Sequence, residues 1–245
     1  MNFNHIVRQW NYIGGILNPN TLSNKLSQNY QIFNEIRHDF YKRFRTVNGY
    51  PAATGIGNRS NGATIDIYAI HASKQVNDVA VNNPKQINPY HYSQAILAGE
   101  PIRNQKVKHG PAFERARLLA APHIYRLFVS GTASIIGQET IGIGNVEKQA
   151  LNTINIIKTL VDDDNVTRCL PHFKGNNQGF SYLRVYVKNS SDLEIVKSIF
   201  RSSCKGVPIS FVLTDICRDD LLLEVEGEIQ YFPAVYDQFV QSPSI

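Results

Sequence analysis

The stretch Pro208-Ile-Ser-Phe-Val-Leu-Thr-Asp-Ile-Cys217-Arg218-Asp-Asp-Leu-Leu-Leu-Glu224-Val-Glu226-Gly-Glu228 sets the pattern on which the rest of the chain is read. An extended apolar run leads into a Cys-Arg pair and a two-aspartate turn, and a second strand follows. Side chains alternate along a strand, so Glu224, Glu226 and Glu228 share one face while Leu223, Val225 and Gly227 take the other. Three carboxylates on one face repel one another unless cations or solvent compensate, and Arg218 is the nearest cation. Two readings stand: a solvated outer face, or a pocket in which one acid beside Arg218 moves a proton.

Upstream, Tyr182-Leu-Arg-Val-Tyr-Val-Lys188 is a strand with Leu183, Val185 and Val187 on one face. Ser191-Asp-Leu-Glu194 has capping-box spacing and opens a helix that ends near Gly206. Asn145 caps an earlier helix burying Val146, Ala150, Leu151, Ile154, Ile157 and Leu160, which Asp162 to Asn165 stops. Strands at Ile124 to Ser130 and through Gly137 precede it. The order is β-β-α-β-α-β-β, with two helices against one face of a mixed sheet.

The N-terminal part is less regular. Residues up to Pro19 form a strand or arm. From Leu22 the apolar positions Leu26, Tyr30, Phe33, Ile36, Phe40 and Phe44 follow helical spacing, predicting one helix with a buried stripe, capped by Asn20 or Thr21. It presents Arg37, His38 and Lys42 elsewhere. The alternation across Ala63 to His71, with Ser60-Asn61-Gly62 before it, predicts a hairpin with the Ala52 to Gly57 segment. Gly55 and Gly57 lack the spacing and following helix of a phosphate loop and read as positions of close backbone approach. Residues 73 to 123 carry too many Asn and Pro breakers for regular elements and read as a flexible loop or site wall.

Composition narrows the classes of function. With 245 residues, 42% hydrophobic and 18% charged, the chain is an ordinary globular protein. A net charge of +5 is spread along the sequence, which argues against nucleic acid and membrane partners and fits a small anionic substrate. Three cysteines without CxxC or Cys/His spacing point to a reducing compartment and away from structural metal. The N-terminus lacks a basic region followed by an apolar segment, so the cytoplasm is the expected location.

Six ordered phrases carry a family resemblance. Arg8-Gln-Trp10-Asn-Tyr12-Ile resembles R-x-W-N-Y-I/V, and Tyr50-Pro-Ala-Ala-Thr-Gly-Ile-Gly57 resembles L/Y-P-A-A-T-G/A-I-G. Asn83 to Tyr92 resembles N-P-R-Q-x-x-A-Y-x-Y, and Pro111-Ala-Phe-Glu-Arg115-Ala resembles P-x-F-x-R-A. Ser130-Gly131-Thr-Ala-Ser134-Ile-Ile-Gly137 resembles S-G-T-A-S-I-V-G, and Cys217-Arg218-Asp-Asp-Leu-Leu-Leu-Glu224 resembles C-R-x-x-L-L-x-E. These belong to the chorismatase, 3-hydroxybenzoate synthase-like branch of the RidA/YjgF superfamily. The chain departs from it at Gln138, where the family commonly has His, and in the 93 to 109 loop.

The resemblance implies an α+β fold: a RidA/YjgF-like (chorismate-mutase-like) mixed sheet with two helices on one face, plus a partial preceding unit. It divides the chain into residues 1–110, a partial RidA-like unit with an irregular site-wall loop, and residues 111–245, a C-terminal RidA/YjgF-like domain. It implies a cofactor-free, metal-free lyase that splits chorismate into 3-hydroxybenzoate and pyruvate. The rival activities are hydrolysis to a dihydroxycyclohexadiene carboxylate and RidA-type imine hydrolysis; a non-catalytic binder of a small acid is the rival outside enzymes. Glu224 is the implied acid, against an ordinary strand glutamate. Arg218 is the implied carboxylate clamp, against a salt bridge to the acidic strand. Arg115 is a second clamp, against a solvated cation, and Arg184 a weaker third. Tyr90 and Tyr92 are hydroxyl donors or wall packing. Cys217 steers the ring intermediate or is a small buried hydrophobe. Gly131, Thr132, Ala133 and Ser134 line the pocket or make a tight turn. A homo-oligomer is implied, most simply a trimer.

Overall fold

The computed structural model describes residues 5–22, 25–45, 49–71, 76–102, 105–121, 124–171 and 175–233. In chain order the elements are β1 (His5–Gly14), β2 (Pro19–Leu22), β3 (Lys25–Gln28), α1 (Asn29–Phe44), β4 (Ala52–Asn58), β5 (Ala63–Ile70) and β6 (Asn77–Val81). There follow β7 (Ala116–Ala121), β8 (Ile124–Thr132), β9 (Ile135–Ile136), β10 (Glu139–Thr140), α2 (Val146–Leu160) and α3 (Asp163–Cys169). The chain continues through β11 (Gly175–Val187), α4 (Leu193–Ser203), β12 (Ile209–Leu213) and β13 (Leu223–Pro233).

A six-stranded mixed sheet, β12-β11-β13-β8-β7-β6, forms the larger layer. Leu183, Val185 and Val187 of β11 and Leu223 and Val225 of β13 bury one face against Val146, Ala150, Ile154 and Ile157 of α2 and Val196 and Phe200 of α4. The alternation expected for β11 and β13 therefore holds, and the expected α+β arrangement with two helices on one face is present. Asn145 caps α2 by accepting a bond from the Lys148 amide, 2.8 Å. Leu151, expected in the core, points to solvent instead. Asp162 both stops α2 and caps the short α3, accepting from the Asp164 amide. No capping box forms at α4: its N-cap, Asp192, makes no side-chain cap bond, and Glu194 pairs with Lys197 at 2.6 Å.

The second layer is a three-stranded sheet, β4-β1-β5. The expected hairpin between β4 and β5 does not form. β1 lies between them, parallel to β4 and antiparallel to β5. Local alternation specifies a strand but not its partner, and the connection through α1 makes the parallel pairing possible. The same pattern recurs at the C-terminus, where β11 is parallel to β12 and antiparallel to β13, with α4 as the crossover. The two ends of the chain thus share one strand-pairing pattern.

Two further expectations are corrected. The helix begins at Asn29, because Pro19–Leu22 and Lys25–Gln28 pair antiparallel as β2 and β3; the Asn29 side-chain Nδ2 donates to the carbonyls of Gly14 and Gly15, pinning the turn into α1. Neither Asn20 nor Thr21 serves as its cap. The buried face of α1 is polar: Gln31, Asn34, Glu35, Arg37 and Tyr41 face inward, while Ile36, Phe40 and Phe44 are exposed. Within residues 73–123, β6 and β7 pair antiparallel and extend the large sheet. Their short runs were hidden among turn-forming residues.

Candidate active site

The glutamate face of β13 is turned toward the small sheet and is closed from water. Glu224 is 4% exposed and Glu226 is 0% exposed, so the solvated-face reading fails. Adjacent acids on the same face meet quite different surroundings.

Glu226 is held by cations. Arg8 of β1 donates to its Oε2 at 2.5 Å, Arg184 of β11 donates to its Oε1 at 2.8 Å, and Trp10 and Tyr186 donate at 3.0 and 3.1 Å. Thr54 of β4 adds a further hydrogen bond. The Arg-x-Trp phrase of β1 therefore serves to neutralise and hold one glutamate, a role the sequence reading did not assign. The alternation of Arg8 and Trp10 on one strand face was its available signal.

Among the described residues, no such cation is in contact with Glu224. Its carboxyl is pushed up to about 8, first by burial and then by the charge of Glu226 nearby. At neutral pH it is an acid that can donate a proton. Cys217 lies beside it, Sγ to Oε2 3.7 Å. Burial, with Glu224 next to it, pushes the Cys217 thiol up, so it is a neutral thiol and not a thiolate nucleophile. Gly131 of β8 packs against the same carboxyl; a Cβ there would lie 1.9 Å from Glu224 Oε1.

These groups open onto a cavity of about 660 Å³. Its polar floor is Glu224, Cys217, Arg218 and Arg115, and Tyr92, Phe113, Leu97 and Ile135 are among its walls. Arg115 is buried, not solvated, and donates to the Ile87 carbonyl and to the Tyr92 hydroxyl at 2.8 Å. Its Nε is buried with no partner in the described structure. Arg218 donates to the Gln138 carbonyl at 2.8 Å, its second terminal nitrogen is buried without a partner, and its Cζ lies 4.9 Å from the Tyr92 ring centre. Among the described residues it forms no salt bridge with the acidic strand. Both guanidiniums thus keep donor capacity at a cavity wall, as a carboxylate clamp requires.

The turn carrying Arg218 is fixed from the small sheet. Ile216 bridges to Ile56, and the Gly57 amide donates to the Asp215 carbonyl at 2.8 Å. Gly57 permits that approach: a Cβ would meet Asp215 at 2.9 Å. Gly55 likewise makes room for the Tyr30 ring. Both glycines are positions of close backbone approach.

The structure separates the remaining sequence candidates. Gly131, Ala133 and Tyr92 line the cavity with the four groups above. Thr132 turns away to donate to the Ser130 carbonyl, and Ser134 donates to the Ile141 carbonyl at 2.6 Å. Tyr90 donates to Glu114 at 3.0 Å and packs on Tyr50, outside the cavity lining. Arg184 serves Glu226 in a separate groove. The sequence reading missed Tyr30, Gln31 and Asn34 of α1, which form the opposite wall. Burial drives the Tyr30 hydroxyl well up, and the Asn34 amide nitrogen is buried without a partner in the described structure. Their signal was the polar set Gln31, Asn34 and Glu35 at i, i+3 and i+4 of a helix, with Tyr30 next to it. Gln138 staples the cavity loop by exchanging hydrogen bonds with Ser93 at 2.9 and 3.0 Å. No group of three or more His, Cys, Asp or Glu suited to a metal ion is gathered among the described residues.

A buried acid and two guanidiniums thus line one cavity, an arrangement that can serve general-acid chemistry on a small anion. Known proteins of similar sequence and fold point to the same class. Residues 1–70 match the domain described as chorismatase FkbO/Hyg5-like, N-terminal. The chain is 30% identical over 236 residues to the 3-hydroxybenzoate synthase of Streptomyces hygroscopicus, covering 93% of this chain and 64% of that protein. It is 30% identical over 232 residues to a chorismatase of Streptomyces rapamycinicus, covering 91% of this chain and 64% of that protein. A chorismatase crystal structure superposes with a TM-score of 0.79 at 27% identity, covering 93% of this chain and 64% of that one. The chain is similar to chorismatases, in line with the resemblance of its motifs, and it spans just under two thirds of the length of the curated relatives it matches.

Proposed function

We propose that the chain splits the enolpyruvyl ether of chorismate, releasing pyruvate, with 3-hydroxybenzoate as the ring product. The observation that carries this reading is the Glu224 carboxyl, pushed up to about 8 by burial and lying beside Cys217 at the wall of a cavity that Arg115 and Arg218 also line. The names of the relatives support the same chemistry.

Chorismate carries two carboxylates and an enol ether. Arg218 and Arg115 bind carboxylate oxygens through the N–H groups they do not spend on the protein. Glu224 gives its proton to the terminal methylene carbon, leaving an oxocarbenium-like carbon on the ether. The ether C–O bond then breaks on the ring side and the side chain leaves as pyruvate, while the neighbouring ring hydroxyl oxygen bonds to the vacated carbon and releases its proton. That bridging oxygen parts from its original carbon and takes a proton back, and the carbon that keeps it loses its hydrogen as the ring becomes aromatic, which places the hydroxyl where the ether stood. Glu224, now a carboxylate, is the acceptor for that proton. No water is consumed, because the two products together contain every atom of chorismate. Cys217 acts as a neutral wall against the ring, steering the intramolecular route.

Incubating the purified chain with chorismate and following pyruvate tests the activity. Chromatography of the ring product distinguishes 3-hydroxybenzoate from a dihydroxycyclohexadiene carboxylate, which would mean hydrolysis. Absence of pyruvate with chorismate bound would mean a non-catalytic binder.

The finer parts of this reading are a cytoplasmic location and homo-oligomeric assembly. Residues 111–245 are taken as a RidA/YjgF-like domain, to whose sheet the preceding segment adds edge strand β6. No helix among the described residues is long and apolar enough to cross a membrane.

A further inference from the structure

Gln31 stands on the α1 wall of the cavity and is 3% exposed. Its Nε2 donates to Glu35 Oε1 at 2.7 Å and to the His109 carbonyl at 2.9 Å. Both partners are acceptors, so the amide has one orientation; turned over, it would set oxygen against oxygen twice. The holders are themselves held. Glu35, 1% exposed, also accepts from the His109 backbone amide at 2.8 Å and lies 2.7 Å from His109 Nδ1. The His38 ring stacks on the His109 ring with centroids 3.7 Å apart. With its nitrogen spent, Gln31 turns Oε1 to the cavity, where it accepts from no described residue and is not closed off inside the protein. It offers a bound molecule a neutral group that accepts a hydrogen bond and cannot donate one.

Other polar groups of the lining have different duties. Arg115 and Arg218 only donate, and Glu224 holds the proton to be given up. The Tyr92 hydroxyl accepts from Arg115, and Asn34 Oδ1 accepts from Arg37 at 2.8 Å. Gln28, on the same wall, makes one side-chain bond to a described residue, at 3.3 Å, against two shorter ones for Gln31. Chorismate as a dianion has one hydrogen-bond donor, its ring hydroxyl. Out of bulk water that donor needs an acceptor, or the bond it made to water is lost without replacement. An acidic acceptor would repel the two carboxylates of the substrate, and an amide free to turn would donate as readily as accept.

We propose that Gln31 is the specificity-determining residue that recognises the ring hydroxyl: its fixed carbonyl oxygen takes the hydroxyl's hydrogen bond while the guanidiniums take the carboxylates. Glu35 and His109 are positioning residues, which keep the amide from turning its nitrogen to the substrate. This role rests on chorismate being the substrate, and it concerns the hydroxyl alone, not the proton that Glu224 delivers.

Calorimetric titration of the full chain with chorismate, and with an analogue carrying hydrogen in place of the ring hydroxyl, tests it. The titrations use the Glu224→Gln background, in which the mechanism leaves no turnover. With Gln31 in place, chorismate is expected to bind about tenfold tighter than the analogue. Gln31→Met removes the acceptor at similar volume, and Gln31→Asn draws it back by one methylene. Each is expected to weaken chorismate about five- to tenfold and to leave the analogue within about twofold, so that the preference for the hydroxyl disappears. Circular dichroism checks that each variant folds; one folded variant suffices, and the comparison of the two ligands with Gln31 in place needs neither. Equal affinity for both ligands with Gln31 present would overturn the assignment. So would a preference that survives in a folded variant, or an equal loss for both ligands. If neither ligand binds even to the unmodified chain, the reading of chorismate as substrate falls and takes this role with it.

Discussion

Gly131 and Glu224 are in contact so close that a Cβ at position 131 would fall 1.9 Å from the glutamate Oε1. The glycine here is required by the acid's position and not by backbone conformation, since its φ is not in the left-handed region. Gly131→Ala must therefore displace the carboxyl. A misplacement of about 1 Å at a reacting group costs on the order of a hundredfold in rate, and overpacking costs ~1–3 kcal/mol in stability. Pyruvate release and urea denaturation measure the two effects. An alanine variant with unaltered rate would show that Glu224 does not need its observed place.

Arg218→Lys keeps the charge and loses the planar fork. A charge-assisted hydrogen bond contributes ~1.5–3 kcal/mol, so the variant's KM for chorismate should rise roughly tenfold to a hundredfold with a smaller change in kcat. Unchanged KM would remove Arg218 from carboxylate binding and leave it as the anchor of the Gln138 loop.

The raised pKa of Glu224 predicts two pH dependences. For catalysis the protonated form is required, so kcat/KM should fall about tenfold per pH unit above about pH 8. For stability, the folded protein holds a proton that the unfolded chain has released above its ordinary value of 4.5. Stability from this group is full below that value and is lost as pH rises through about 8. Glu224→Gln lacks the titration. Its stability relative to wild type should therefore improve by a few kcal/mol across that interval, as denaturant melts at several pH values would show.

Glu226 is predicted to be structural. Glu226→Gln leaves the buried Arg8 guanidinium without its counter-charge, and breaking a buried pair costs ~3–5 kcal/mol. Urea denaturation checks this. A loss near zero would mean that Thr54 and the surrounding dipoles suffice to hold Arg8.

Much of the architecture could be read from alternation. Leu223 and Val225 against Glu224 and Glu226 separated helix side from site side correctly, because each face of β13 is buried against a chemically different layer. Alternation failed where the partner was remote. β4 and β5 look like a hairpin, yet β1, forty residues before, separates them. On α1 the apolar stripe was taken for the core face, whereas the site needs the polar face and the apolar one is left outside. The pocket residues Cys217, Arg218, Glu224, Arg115 and Tyr92 were identified from the resemblance. Thr132, Ser134, Tyr90 and Arg184 were not separable from them by sequence, since orientation depends on which carbonyl or carboxylate each side chain finds.

The central claim is that one carboxyl in the last strand supplies the proton that breaks the ether. Glu224→Gln, titrated with chorismate by calorimetry and then assayed for pyruvate, tests it most directly. The account predicts retained binding and no pyruvate above background; pyruvate release at the wild-type rate would contradict it.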